Sequence, residues 1–244
     1  MIYITGDTHG NQGYNGGRDL VDKLSTSNFP EGNNLSKKDY IIITGDFGFI
    51  FSNTPFFQPS KEEKYWLDWL DQKPWTTLFV DGNHENFERL YNIPEIDMFG
   101  EKVGAVNDSV FHLKRGRIYN INGNKIFTFG GAKSIDKHMR TEGISWWPLE
   151  EPTTAEMMLG LKNLESVGNK VDYIITHTAP SSVATLMDQS QLLSKYQPYA
   201  LTKYLDTVKS KVDFKKWYFG HFHDDEEFEE GKFVLLYKRV IPIG

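Results

Sequence analysis

The 244-residue chain contains no cysteine, which excludes disulfides, thiolate metal sites and a cysteine nucleophile. Any metal must therefore be held by oxygen and nitrogen. No apolar run approaches the roughly 20 residues that a membrane helix requires. The start, Met1-Ile2-Tyr3-Ile4-Thr5, lacks a basic segment followed by an apolar stretch, so the expected compartment is the cytoplasm. Positive charge is in deficit: 27 Lys and Arg face 33 Asp and Glu, and the net −6 disfavours anionic membranes and long duplex nucleic acid as partners. A small phosphoester remains compatible, because it needs only local positive charge. Internal repeats and low-complexity linkers are also missing, so residues 1–244 are expected to form one domain. The 39% hydrophobic content is enough for its core.

What is present alternates short β-rich runs with helical ones, the rhythm of an α/β sheet. Strands are expected at Ile2–Thr5, Tyr40–Thr44, Thr76–Val80, Lys125–Phe129, Tyr173–Thr176 and Trp217–Phe219. Ser60 with Glu63, and Thr153 with Glu156, read as capping boxes that open helices. Apolar stripes follow at Trp66, Trp69 and Leu70, at Met157, Leu161 and Leu164, and at Leu201, Tyr204, Leu205 and Val208. Val110–Leu113, Arg117–Ile121 and Lys125–Phe129, with Asn122-Gly123 as a turn, read as an antiparallel hairpin set. A second hairpin is expected to join Glu226–Glu230 to Phe233–Tyr237 around Gly231.

The polar residues gather where these strands end. Gly6-Asp7-Thr8-His9-Gly10, Gly45-Asp46, Gly82-Asn83-His84-Glu85, Thr176-His177 and Gly220-His221-Phe222-His223 each follow a predicted strand, and they hold five of the seven histidines. The carboxyl ends of parallel strands share one edge, so these loops can converge on one ligand. Asp7 with His9, and His221 with His223, are two apart; in extended chain each pair points to one side and could chelate one ion. Asp7, His9, Asp46, Asn83, His177, His221 and His223 are too many donors for a single four-coordinate ion, so two ions are expected, with a bridging carboxylate. Mixed imidazole, carboxylate and amide ligands suit Mn ahead of Fe or Zn, and suit Mg least. His112 and His138, outside these segments, read as a satisfied core residue or a surface residue.

This ordered set resembles the calcineurin-like metallophosphoesterase superfamily, with its Asp-x-His, Gly-Asp, Gly-Asn-His, His and Gly-His-x-His segments, all present from Asp7 to His223. The resemblance implies a four-layer α/β/β/α sandwich of two mixed sheets flanked by helices. By position it implies one ion on Asp7, His9, Asp46 and His223, and a second on Asp46, Asn83, His177 and His221, with Asp46 the bridge. Two divalent ions against two aspartates leave about +2, or about +1 with a bridging hydroxide, and this field draws in phosphate. The implied chemistry is hydrolysis of a phosphate mono- or diester by metal-bound hydroxide attacking phosphorus, with His84 protonating the leaving oxygen and stabilising the transition state.

Other features bear on substrate. Phe47, Phe49, Phe51, Phe56 and Phe57 crowd loop 47–57 and read as packing beneath a lid, with stacking on a nucleotide base or aryl group as the alternative. Protein serine/threonine phosphatases of the superfamily carry an Asp-Arg-Gly segment after Gly-Asp, whereas Gly45-Asp46 here runs into Phe47-Gly48-Phe49, so nucleotide or aryl esters are favoured. In loop 130–147, Arg140 is the candidate phosphate clamp, since a guanidinium can bind phosphate at two points. The acidic run Asp224–Glu227 reads as a solvated strand edge. Two alternatives compete: a binding or scaffold module without turnover, and a nuclease on short or single-stranded nucleic acid.

Overall fold

The computed structural model describes residues 1–10, 17–54, 58–187 and 198–244. In chain order the elements begin β1 (Ile2–Thr5), α1 (Arg18–Leu24), β2 (Tyr40–Ile43), α2 (Lys61–Asp71), β3 (Thr76–Phe79), α3 (Phe87–Tyr91), β4 (Glu95–Met98), β5 (Glu101–Ala105) and β6 (Val110–Leu113). They continue β7 (Arg117–Ile121), β8 (Asn124–Phe129), α4 (Thr154–Ser166), β9 (Tyr173–Thr176), α5 (Ser181–Ala184), α6 (Ala200–Lys211), β10 (Lys216–Phe219), β11 (Glu226–Phe228), β12 (Phe233–Leu235) and β13 (Val240–Pro242). Among the described residues no helix is long and apolar enough to cross a membrane.

Two sheets form. One has the order β13-β1-β2-β3-β6-β5-β4, the other β11-β12-β10-β9-β8-β7. The inner strands β1, β2, β3 and β6 run parallel, as do β12, β10, β9 and β8, and the antiparallel strands lie outside them. Because successive side chains in a strand point to opposite faces, each apolar run serves two cores. Ile2, Ile4, Ile42, Leu78 and Val80 meet Ile126, Tyr173, Ile175 and Tyr218 between the sheets. Tyr3, Ile41, Ile43 and Phe79 face α1 and α2 on one outer side. Phe127, Phe129, Ile174, Trp217 and Phe219 face α4 and α6 on the other. The result is the α/β/β/α sandwich.

Both capping boxes are present. Ser60 Oγ accepts from the Glu63 amide at 3.1 Å while Glu63 accepts from the Ser60 amide at 2.8 Å, and Thr153 and Glu156 pair likewise. In α2 the buried seam is Glu63, Leu67 and Leu70, with Trp66 and Trp69 half-buried beside it; Leu67, absent from the expected stripe, takes the central place. Leu201, Tyr204, Leu205 and Val208 of α6 are all buried.

The expected hairpin set needs correcting. Arg117–Ile121 and Asn124–Phe129 do pair across Asn122-Gly123, whose positive φ values of 50° and 82° are what such a two-residue turn demands. Val110–Leu113, however, belongs to the other sheet, parallel to β3 and antiparallel to β5. A fully buried four-residue run carries no mark of its partner, which is why sequence proximity misleads here. β11 and β12 pair as expected, with β11 at the sheet edge. Within the acidic run, Asp225 also anchors backbone, its carboxylate accepting from the amides of Tyr237, Lys238 and Arg239.

Candidate metal centre

The loops leaving β1, β2 and β3 in one sheet, and β9 and β10 in the other, bring the sequence-selected donors to one end of the sandwich. One oxygen or nitrogen from each of Asp7, His9, Asp46 and His223 lies within 4.8 Å of the others, and the same holds for Asp46, His177 and His221. Asp46 belongs to both groups. Its Oδ1 lies 3.2 Å from His177 Nε2, and its Oδ2 lies 3.7 Å from His9 Nε2. Asn83 Oδ1 lies 3.3 Å from His177 Nε2, so the amide oxygen joins the second group. His223 Nε2 lies 3.3 Å from Asp7 Oδ2 in the first.

The two-apart spacing of His221 and His223 therefore does not make them partners on one ion. His9, Asp46, His221 and His223 all have left-handed backbone, with φ of 50°, 43°, 72° and 55°, so the extended-chain geometry does not apply. Such conformations at four of the nine non-glycine residues with positive φ, among the described residues, show that tight turns aim the donors. Glycine serves close approach: a Cβ on Gly82 would strike Asp46 Oδ1, and one on Gly220 would strike Asp7 Oδ1.

Most of the donors are oriented from behind. His177 Nδ1 donates to the Thr44 carbonyl at 2.9 Å, leaving Nε2 to face Asp46 and Asn83. His9 Nδ1 donates to Asp19 Oδ2 at 3.0 Å, leaving Nε2 toward Asp7 and Asp46. Asn83 Nδ2 donates to Ser134 Oγ at 3.2 Å, and that hydroxyl donates to Glu150 Oε2 at 2.6 Å, which turns the Asn83 carbonyl inward. His223 stacks on Tyr237 at 4.9 Å between ring centroids. Lys23 donates to the Asp7 carbonyl. Asp46 Oδ1 accepts the amides of Asn83 and His84 at 2.9 Å, and the His221 amide donates to Asp7.

Metal-free electrostatics express the same crowding. Burial opposes charge on His177, but Asp46 and Asp7 prevail and raise it to about 9. Burial and the neighbouring His177 push His221 down to about 3. Burial alone would raise Asp46, yet the neighbouring His177 holds it well below the usual carboxylate range. Bound cations would neutralise these carboxylates in place of the protonated imidazole.

His84 reaches the site: its Nε2 lies 4.0 Å from Asp46 Oδ2. Arg140 also arrives there, with Nη1 3.3 Å from His84 Nδ1, although its fork grips Asp136 at 2.8 and 2.9 Å rather than standing open. His112 is a satisfied core residue, 3.0 Å from Asp81, while His138 is exposed. Phe47 and Phe49 are fully buried, and Phe47 stacks on Phe79 at 4.1 Å, so these two rings pack in the core and cannot stack on a substrate. Glu85 accepts from the amides of Phe47 and Gly48, and Glu63 from those of Phe51 and Ser52, pinning this loop down. Phe56 and Phe57 lie outside the described residues.

Sequence reasoning missed Asp19, Ser134, Glu150, Lys23 and Tyr237, whose roles arise only through space. Glu85 had a local signal in its adjacency to His84.

Comparison with known proteins gives relatives of low identity. The chain is 24% identical over 211 residues to a lariat debranching enzyme of Drosophila melanogaster, covering 77% of this chain and 38% of that protein. It is 24% identical over 174 residues to a lariat debranching enzyme of Schizosaccharomyces pombe, covering 67% and 36%. It thus spans little more than a third of these relatives' length. Phosphopantetheinyl hydrolase from Mycobacterium tuberculosis superposes with a TM-score of 0.48 at 15% identity, covering 96% of this chain and 87% of that one. The family model described as calcineurin-like phosphoesterase matches residues 1–225, and with the motif order and the paired donor groups already in place, the chain belongs to the calcineurin-like phosphoesterase family.

Proposed function

We propose that the protein is a dinuclear metal-dependent phosphoesterase acting on a phosphodiester. The observation that carries this reading is Asp46, whose two carboxylate oxygens face two separate donor groups. The residues suit the implied ions: imidazole nitrogens with carboxylate and amide oxygens, and no thiolate, are donors for Mn, Fe or Zn. Asp7, His9, Asp46 and His223 would hold one ion, and Asp46, Asn83, His177 and His221 the other. Bound there, the pair supplies Lewis acidity that acidifies a water and neutralises charge on phosphoryl oxygens.

The chain's own groups do the positioning. Thr44, Asp19 and Ser134 fix which atom of His177, His9 and Asn83 faces inward, so the cage is preorganised for charge. His84, with Nε2 directed at the shared carboxylate, is placed to meet the phosphoester where charge develops. The burial of Phe47 and Phe49 takes those two rings out of the support that the aromatic loop lent to nucleotide or aryl substrates. The similarity to lariat debranching enzymes instead supports a diester within a short or branched nucleic acid.

The test is to strip the protein, add manganese, count bound ions, and assay bis(4-nitrophenyl) phosphate, 4-nitrophenyl phosphate and short RNA oligonucleotides. Two ions per chain and diester turnover that chelator abolishes are expected. Metal-loaded protein without turnover on any ester would instead make this a binding module.

A further inference from the structure

His84 is held from two sides. Its amide donates to Asp46 Oδ1 at 2.9 Å, and its Nε2 faces Asp46 Oδ2 at 4.0 Å, at the carboxylate common to both donor groups. On the far side of the ring, Nδ1 meets Arg140 Nη1 at 3.3 Å. A guanidinium has five N–H donors and no acceptor. Nδ1 must therefore receive this bond with its lone pair, and the ring hydrogen resides on Nε2.

Arg140 is built to stay there. Nε and Nη2 donate to the two oxygens of Asp136 at 2.8 and 2.9 Å, Nη1 also donates to the Ser145 carbonyl at 3.2 Å, and the Arg140 amide closes a turn on the Lys137 carbonyl at 3.1 Å. With the bond to His84, one of the five N–H groups is left, too few for the two-point grip on phosphate that the sequence suggests.

Building on the phosphoesterase reading, we propose that Arg140 is a positioning residue that fixes His84 as the Nε2–H tautomer, so that His84 donates a hydrogen bond to the ester without surrendering its proton. Giving up that hydrogen while Nδ1 remains a lone-pair acceptor would leave an imidazolate. The reaction balances without it. A bond forms from a water oxygen to phosphorus, and the bond from phosphorus to the leaving oxygen breaks, its electron pair staying on that oxygen. One proton passes from the attacking water to solvent, and one returns from solvent to the departed group. This replaces the proton-donor role that the sequence suggests for His84.

Two measurements test it. Long-range proton–nitrogen correlation spectra of the metal-free, nitrogen-15-labelled protein read the tautomer directly: a protonated Nε2 and an unprotonated Nδ1 on His84 are expected. Arg140→Met should lose this preference, and Arg140→Lys, another donor without an acceptor, should restore part of it. In manganese-loaded protein, turnover of aryl methyl phosphodiesters should fall steeply as the leaving phenol becomes more basic. Arg140→Met should lower kcat at least about tenfold with little change in KM, as loss of an oriented donor does. A wild-type ring carrying its hydrogen on Nδ1, or on both nitrogens, overturns the proposal, as does turnover indifferent to the leaving group. The expected tautomer with no hydrolysis of any ester would contradict the phosphoesterase reading instead.

Discussion

His177 donates from Nδ1 to the carbonyl oxygen of Thr44 at 2.9 Å, so the end of a strand in one sheet orients an imidazole delivered by the other. The contact needs a bare backbone beside it. A Cβ on Gly45 would collide with the His177 ring, and Gly45 has φ of 108°, where side chains are strained. Gly45→Ala is therefore expected to weaken the ion on the His177 side by about 10- to 100-fold, the usual effect of disturbing a ligand's support. Metal titration by calorimetry should show two sites of unequal affinity in the variant. Two unaltered sites would contradict the role of this contact.

Ser134 makes a separate prediction because it touches no proposed ion. Its hydroxyl accepts from Asn83 and donates to Glu150. Ser134→Ala frees the Asn83 amide to rotate and present nitrogen where oxygen is wanted, so metal affinity should fall by about 10-fold or more with the fold intact. Unchanged metal content and turnover would show that Asn83 is held by other means.

Glu63 and Arg89 form a buried ion pair at 2.9 Å beneath the loop that follows Asp46. Removing one partner strands a buried charge, so Arg89→Met should destabilise the protein by about 3–5 kcal/mol in urea unfolding. The double variant Glu63→Gln with Arg89→Met should recover part of that loss. A cost below about 1 kcal/mol for the single variant, the range of exposed pairs, would show that water reaches the pair.

Asp81 sets an acid limit. Burial alone would raise it, but Arg115 at 2.6 Å and then His112 prevail and hold it at about 2 against an ordinary 3.8. A carboxylate depressed on folding stabilises the native state above its unfolded pKa, and this contribution is lost as pH falls toward the folded value. About 2 kcal/mol should therefore disappear between roughly pH 4 and pH 2. Asp81→Asn should flatten that part of the stability profile; an unchanged slope would assign the acid sensitivity to other carboxylates.

The donors were legible in sequence because each follows a strand directly, and the topology of parallel strands gathers such positions without further information. The sandwich itself was legible only through the family resemblance, since alternation in Ile2, Ile4 and Ile42 marks two buried faces but not which sheet opposes which. β4 and β5 escaped notice because Glu95–Met98 is largely exposed and carries little apolar pattern. The division of His221 and His223 between two groups depends on left-handed turns that residue spacing does not encode. The contact of Arg140 with His84 joins residues 56 apart, beyond the reach of any local rule, although its restraint by Asp136 spans only four residues.

The most direct test of the central claim is anomalous diffraction from crystals of the protein soaked in manganese. Two peaks about 3.5–4 Å apart, straddling the Asp46 carboxylate, are predicted. A single peak, or two that leave Asp46 untouched, would contradict the account.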